Sequence, residues 1–415
     1  PAMAAWEELK AQYRAFQARG LTLDMSRGKP SPEQLALSAP ILAGADMDYT
    51  CEDGSDARNY NHPLGIPEMR RLFGEILGVA PEQVIVGGNS SLNLLSDVFT
   101  RCMLLGPLPG DTPWAQLPRV KFICPSPGYD WHFHMLESYG VELLPVPTLA
   151  DGPDMDQVEA LARDPAVKGL ICVPMYGNPS GVTFSDEVVA RLARMEAAPD
   201  FRIFWDNAYC VHDLYDETDE LANIFDLARA AGTEDRVVAF ASTSKITFPG
   251  AGIGFIGASP AVIAEFSKRL KAGLISADKL NQLRHVRFLP TIEAVKEHMK
   301  KHAEFLRPRF EAVERKLTEG LGDTGCATWT HPRGGYFVSF DGPEGSAQKV
   351  AALCADLGVK LTPAGATWPY GKDPRDTNIR IAPSYPTVED LEAALDVLVL
   401  AVKLVAAELA RAERA

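Results

Sequence analysis

The chain has 415 residues, 46% apolar and 23% charged, which suits a soluble globular protein large enough for two domains. A net charge of −14 weighs against nucleic acid or an anionic membrane as partner. Seven scattered cysteines without a Cys-x-x-Cys pair, no basic leader followed by an apolar core, and no apolar run of ~18 residues predict a cytoplasmic protein with reduced thiols.

Residues 4–19 place Trp6, Leu9, Tyr13 and Phe16 on one helical stripe. Pro30 and Pro32 then force an extended or turning segment, in which Arg27 and Lys29 flank Gly28. Two cations beside a glycine suit an anion that approaches the backbone, and equally suit an ordinary surface loop. Arg58 to Leu72 leads into a helix with Pro67 in its first turn, and Tyr60 stands five residues before Gly65. Val84-Ile-Val-Gly-Gly-Asn-Ser-Ser-Leu92 reads as strand, glycine turn and helix start. Ser90 and Ser91 add hydroxyl donors to the free N–H groups of that helix, or serve simply as its cap.

From residue 119 strands predicted at 120–124, 141–146, 169–173, 201–205 and 236–241 alternate with helices such as 154–163 and 185–197, the latter capped by Ser185. That alternation predicts an α/β fold with a mainly parallel sheet covered on both faces, whose ligands gather at the carboxyl ends of the strands. Chemistry-bearing residues follow those strands. Tyr129 and Trp131 come after Pro125-Ser-Pro-Gly, and Asn178-Pro-Ser-Gly181 makes a turn. Asp206 ends a strand three residues before Tyr209. Lys245 stands in Ser242-Thr-Ser-Lys245, ahead of Pro249-Gly250 and a short apolar run over 253–257. A lysine in a partly dry pocket loses its charge and becomes able to form a Schiff base. A strand-end carboxylate holds a pyridine nitrogen protonated, or caps a helix.

Residues 291–319 predict a long amphipathic helix bent at Pro308, leading into a smaller C-terminal part. There Arg380, in Thr377-Asn-Ile-Arg-Ile-Ala-Pro-Ser384, is an isolated cation among apolar residues and needs an anion, either a carboxylate ligand or a structural partner. Thr387-Val-Glu-Asp390 predicts a capping box opening a helix over 387–410. His132 and His134, two apart, share no helix face, and the histidines show no metal-ligand spacing.

Taken together, Ser242-Thr-Ser-Lys245 with Pro249-Gly250, Asp206-x-x-Tyr209, Asn178-Pro-Ser-Gly181 and Pro332-x-Gly-Gly-x-Phe337 resemble the fold type I pyridoxal-phosphate (PLP) aminotransferases. The order of motifs matches from Gly28 to Arg380. Ser26-Arg-Gly-Lys-Pro30, Gly88-Asn-Ser-Ser-Leu92 and Ser244-Lys-Ile-Thr247 are similar to a divergent aspartate aminotransferase subgroup. The resemblance implies a seven-stranded, mainly parallel sheet in a large domain over residues 50–305. A smaller α+β domain would combine residues 1–49 with 306–415. It further implies Lys245 as the residue carrying PLP as an internal aldimine, Asp206 on the ring nitrogen and Tyr129 stacked on the ring. Asn178 and Tyr209 would bond the ring oxygen. Ser90, Ser91, Leu92, Ser242 and Ser244 would surround the phosphate, with Tyr60 contributed by the other subunit of a homodimer. Arg380 would hold the substrate α-carboxylate, with Gly28, Asn178, Arg27 and Lys29 around the substrate. The implied reaction is ping-pong transfer of an amino group from an L-amino acid, aspartate foremost, to 2-oxoglutarate.

One position departs from the family pattern: Gly252 stands where many relatives carry an arginine on the cofactor phosphate. Aromatic, branched-chain or aminoadipate transamination, and C–S lysis, remain open on the same skeleton. A non-catalytic regulator would need a DNA-binding domain ahead of the motifs, for which fewer than 30 residues precede Gly28. A nicotinamide enzyme would need a Gly-x-Gly-x-x-Gly opening a helix, which is absent from the sequence.

Overall fold

The computed structural model describes residues 2–43 and 47–412, so the outermost positions of the expected N- and C-terminal segments lie outside it. Its centre is one sheet with the strand order Val84–Gly87, Gly254–Ala258, Val237–Ser242, Arg202–Asp206, Val167–Cys172, Lys121–Ser126, Glu142–Leu149, Gly152–Pro153. The five strands from Val237–Ser242 to Glu142–Leu149 pair in parallel, while Gly254–Ala258 runs antiparallel to both its neighbours. The seven expected strands are therefore present, and the two-residue edge strand Gly152–Pro153 makes an eighth.

Alternation along these strands explains the two-sided burial. Phe122, Phe204, Val238 and Phe240 pack into one core with Phe99, Trp114 and Phe133. Ile123, Ile203, Trp205, Ala239 and Ala241 pack into another with Leu192, Phe225 and Leu283. Period-two alternation of large apolar side chains is what a sheet with helices on both faces requires. Several helices begin as the sequence predicts: Ser185 accepts from the N–H of Val188 at 3.3 Å, and Thr387 accepts from that of Asp390 at 3.1 Å.

A third core joins the two chain ends. Met25, Phe337, Val338, Phe340, Ile379, Ile381 and the inner face of the helix Val388–Ala412 are buried together, with Trp6, Leu9, Tyr13 and Phe16 packed against them. It includes a three-stranded antiparallel sheet of Thr328–Trp329, Val338–Asp341 and Asn378–Ile381. The helix Ile292–Leu321 runs unbroken through Pro308, contributing Val295 and Met299 to the large core and Leu306 to Leu321 to this third one. No helix among the described residues is long and apolar enough to cross a membrane.

Candidate active site

Parallel strands all end on the same edge of a sheet, and the segments that leave that edge converge there. Ser90, Ser91, Leu92, Tyr129, Asn178, Asp206, Tyr209, Ser242, Ser244 and Lys245 line one cavity of about 140 Å³, joined by Val173 and Ala208. A larger cavity of about 640 Å³ between residues 210–218 and the helix Ile292–Leu321 contains none of the motif residues.

Asp206 ends its strand on the face of the sheet that carries Phe204, and is 2% exposed. The helix Asp130–Ser138 packs on that same face through Phe133 and Leu136. Its His132 thereby meets Asp206, with Nε2 lying 2.8 Å from Oδ2. A carboxylate oxygen only accepts, so Nε2 carries the proton. The other oxygen, Oδ1, is buried without a partner among the described residues. A carboxylate oxygen shut away from water and left unpaired is costly, so it marks a position where a cationic or N–H-bearing ligand belongs.

Lys245 lies in the turn after Val237–Ser242. Its Nζ is 5.3 Å from the Tyr209 ring centroid and 6.0 Å from that of Tyr336. Burial lowers its pKa, an effect Asp206 opposes and Arg380 reinforces. The turn is clamped from outside. The carbonyl of Ile246 faces Nε2 of His298 at 2.9 Å and Nε2 of His302 at 3.1 Å, both on the helix Ile292–Leu321. Thr247 Oγ1 lies 2.7 Å from Nε2 of His285.

Ser90 acts as a helix cap: its hydroxyl accepts from the N–H of Asn93 at 3.3 Å and donates to that residue's side-chain oxygen at 2.9 Å. Gly252 packs against this turn so closely that a Cβ there would come 2.7 Å from the carbonyl oxygen of Asn89. The backbone leaves no room for an arginine. Arg284, whose Nε is buried without a partner, instead lines an adjoining cavity of about 500 Å³ with Gly88, Asn89 and Gly252.

Arg380 projects from Asn378–Ile381 over the Phe337 ring at 5.0 Å. Its Nη1 donates to Asn178 Oδ1 at 3.2 Å and to Asp130 Oδ1 at 2.9 Å. Asp130 is therefore its anion in this structure, a partner that no local motif signalled. Gly28 lies against Phe337, where a Cβ would stand 2.1 Å from Cζ. Arg27 and Lys29 do not line the cavity. The Arg27 Nε is 3.6 Å from Asp24, and the Lys29 ammonium lies 4.1 Å from the Tyr385 ring centroid. Tyr60, 76% exposed, also stands outside it. Trp131 points outward at 56% exposure, whereas Tyr129 lines the cavity with its ring edge-on to His132 at 4.8 Å. The sequence reading missed His132, whose position three residues after Tyr129, in the first turn of the helix that Tyr129 precedes, was the available signal, and Asp130.

The whole chain is similar to known proteins. A model of the family described as aspartate amino-transferase matches residues 2–414. A Mycolicibacterium smegmatis protein assigned as an aminotransferase is 47% identical over 98% of this chain and 96% of its own length. The aspartate aminotransferase of Corynebacterium glutamicum is 44% identical, over 97% of this chain and 94% of its own. The crystal structure of an aspartate transaminase from Corynebacterium glutamicum superposes with a TM-score of 0.96 at 43% identity, covering 98% of this chain and 96% of that one. This chain thus belongs to the aspartate amino-transferase family of fold type I pyridoxal-phosphate enzymes and is an aminotransferase.

Proposed function

We propose that the protein transfers the amino group of L-aspartate to 2-oxoglutarate in two half-reactions, with pyridoxal phosphate in the cavity around Lys245. The observation that carries this reading is the buried Oδ1 of Asp206, unpartnered among the described residues, in a residue that lines the same cavity as the buried Lys245. Those residues suit a protonated ring nitrogen on one side and an aldehyde on the other. The choice of aspartate rests on the named relatives.

In this reading Asp206 and the phenol of Tyr209 would orient the ring, Tyr129 would cover it, and Ser90, Ser91, Leu92, Ser242 and Ser244 would hold its phosphate. When bound, the cofactor supplies the carbonyl that takes up an amino group and the ring that withdraws electrons from the substrate Cα. Lys245 Nζ, whose charged form burial disfavours, would take the proton from Cα and hand it on from the same face. Arg380, with Asn178 beside it, holds the α-carboxylate in the planar fork of its guanidinium. The apolar ring of Phe337 and the walls of the cavity keep water from competing for that contact.

The distal carboxylate of a dicarboxylic substrate needs a further cation, for which Arg27 and Lys29 are the candidates. The exposure of Tyr60 supports a homodimer in which it enters the neighbouring site. Residues 1–49 and 306–415 would form the small domain that carries Arg380, and 50–305 the large one that carries Lys245.

The test is the visible absorption of the purified, PLP-loaded protein during titration with single amino acids. Loss of the yellow band with aspartate or glutamate and its return with 2-oxoglutarate is the expected result. A band bleached only by aromatic or aliphatic amino acids would overturn the aspartate assignment, and no band at all would overturn the role of Lys245.

A further inference from the structure

Arg380 already holds a carboxylate. Its side chain is 9% exposed and that of Asp130 15%, and a single oxygen, Asp130 Oδ1, lies 2.9 Å from Nη1. The same Nη1 reaches Asn178 Oδ1 at 3.2 Å, Nε makes a long contact of 3.4 Å with Thr362 Oγ1, and Nη2 donates to nothing among the described residues. The guanidinium is thus neutralised through one nitrogen, and its fork remains half used.

We propose that Asp130 is a resident carboxylate that occupies Arg380 between turnovers and is displaced by the α-carboxylate of each incoming substrate. The proposal rests on Arg380 being the α-carboxylate anchor. Three features support an exchange rather than a permanent pair. First, the contact is one charge-assisted hydrogen bond, whereas a free carboxylate can take two parallel ones from Nη1 and Nη2. Second, a buried guanidinium without any anion is costly, so a resident partner keeps the empty site from carrying a bare charge. Third, Asp130 is the first residue of the helix Asp130–Ser138 and retains some exposure. Once released, its carboxylate still faces the free N–H groups of that helix end and water, so release leaves no stranded charge.

Exchange has a consequence for selectivity. A ligand that brings a carboxylate replaces the charge that it displaces. An amine without a carboxylate would have to strip Asp130 from Arg380 and offer nothing in return, so Asp130 acts as a positioning residue that sharpens discrimination at the expense of affinity. Binding of a true substrate then reports the difference between two ion pairs, not the strength of one.

The experiment uses the PLP-loaded full chain and propionate, which has a carboxylate and no amino or keto group. Asp130→Asn keeps a side chain of the same shape at the helix start and removes the charge. Its dissociation constant for propionate, measured by calorimetry, should be at least tenfold lower than that of the unaltered protein, and the KM values for amino acid and oxo acid should fall together. Without carboxylate the variant should melt at a lower temperature, and propionate should restore the difference. Asp130→Ser, which also accepts hydrogen bonds at a helix start, should give the same tightening if the asparagine variant folds poorly. Unchanged or weaker propionate binding in both variants overturns the proposal, because Asp130 would then orient Arg380 or stand idle. Arg380→Gln separates the two levels: if it binds propionate as the unaltered protein does, the assignment of Arg380 as anchor fails. If it loses propionate while the Asp130 variants do not tighten, only the exchange fails.

Discussion

Asp206 and His132 are joined by a hydrogen bond from Nε2 to Oδ2 at 2.8 Å, both residues 2% exposed, and the second carboxylate oxygen is buried with no partner among the described residues. The histidine fixes the rotation of the carboxylate, so Oδ1 has one direction left in which to accept. Asp206→Asn should lower turnover by roughly 10³-fold, the scale of losing an oriented charge at a reacting centre. His132→Phe leaves the charge and loosens its orientation, so a smaller loss of about tenfold is expected. Steady-state rates of both variants with aspartate and 2-oxoglutarate would establish the ranking.

Lys245→Ala should abolish transamination while leaving the fold intact. Lys245 makes no salt bridge among the described residues, and burial disfavours its charged form, so its removal breaks no structural ion pair. Turnover above about 1% of the original, with the far-ultraviolet circular dichroism unchanged, would remove Lys245 from the proton transfer.

Gly28→Ala should both destabilise the protein and weaken substrate binding. The added methyl would meet Phe337 Cζ at 2.1 Å and Cε1 at 2.4 Å, and that ring carries the Arg380 guanidinium 5.0 Å from its centroid. Overpacking of this kind costs about 1–3 kcal/mol, and the shifted ring should raise the KM for both carboxylate substrates several-fold. Urea unfolding and kinetics on the same preparation check the two effects together.

Replacing Arg27 and Lys29 together by glutamine should collapse the proposed preference for aspartate over alanine by tenfold or more, while leaving turnover of alanine nearly unchanged. Among the described residues Arg27 meets Asp24 at 3.6 Å and Lys29 the ring of Tyr385, so neither makes a short ion pair there. Retained preference in the double variant would assign the distal carboxylate to another cation, of which Arg284 is the first to test.

Stability of the cofactor-free protein should decline as the pH falls through the histidine range. Burial pushes the pKa of His302 down to about 4 and that of His212 to about 3, with His298 also lowered by burial. A histidine whose folded pKa lies below its unfolded value of about 6.5 favours the neutral, folded state above that value. Between about 6.5 and 4 the unfolded chain takes up the proton first, so stability is lost across that window. For His302 alone the loss is about 3 kcal/mol. Thermal melts from pH 7.5 to pH 5 should fall steeply, and His302→Gln should flatten the slope.

Much of this was legible along the chain because it depends on short-range chemistry. Short apolar runs such as 201–205 define a strand buried on both faces, and the residues at or just beyond each strand mark its carboxyl end, where Asp206, Asn178 and Lys245 all occur. Ser185 and Thr387 cap helices through bonds to N–H groups three residues away, which any folded context would preserve. The edge strand Gly152–Pro153 escaped notice because two residues have no period to read.

Tertiary structure alone decided the pairings that depend on strand order and domain packing. Asp130 and Arg380 are 250 residues apart, and no spacing rule relates them; they meet because packing brings the side chain of Arg380, from the strand Asn378–Ile381, to the start of the helix at Asp130. His132 reaches Asp206 only because that helix covers the face of the sheet to which the even-numbered residues of 202–206 point. The exclusion of a side chain at Gly252 likewise follows from the turn at Asn89 lying against it across the antiparallel pairing of Val84–Gly87 and Gly254–Ala258. The sequence by itself determined which residues could do chemistry and at which strand ends they stand, since propensity, capping and periodicity act over a few residues. Which of them touch, and with what charge left over, was decided by contacts between elements whose proximity only the packed core can set.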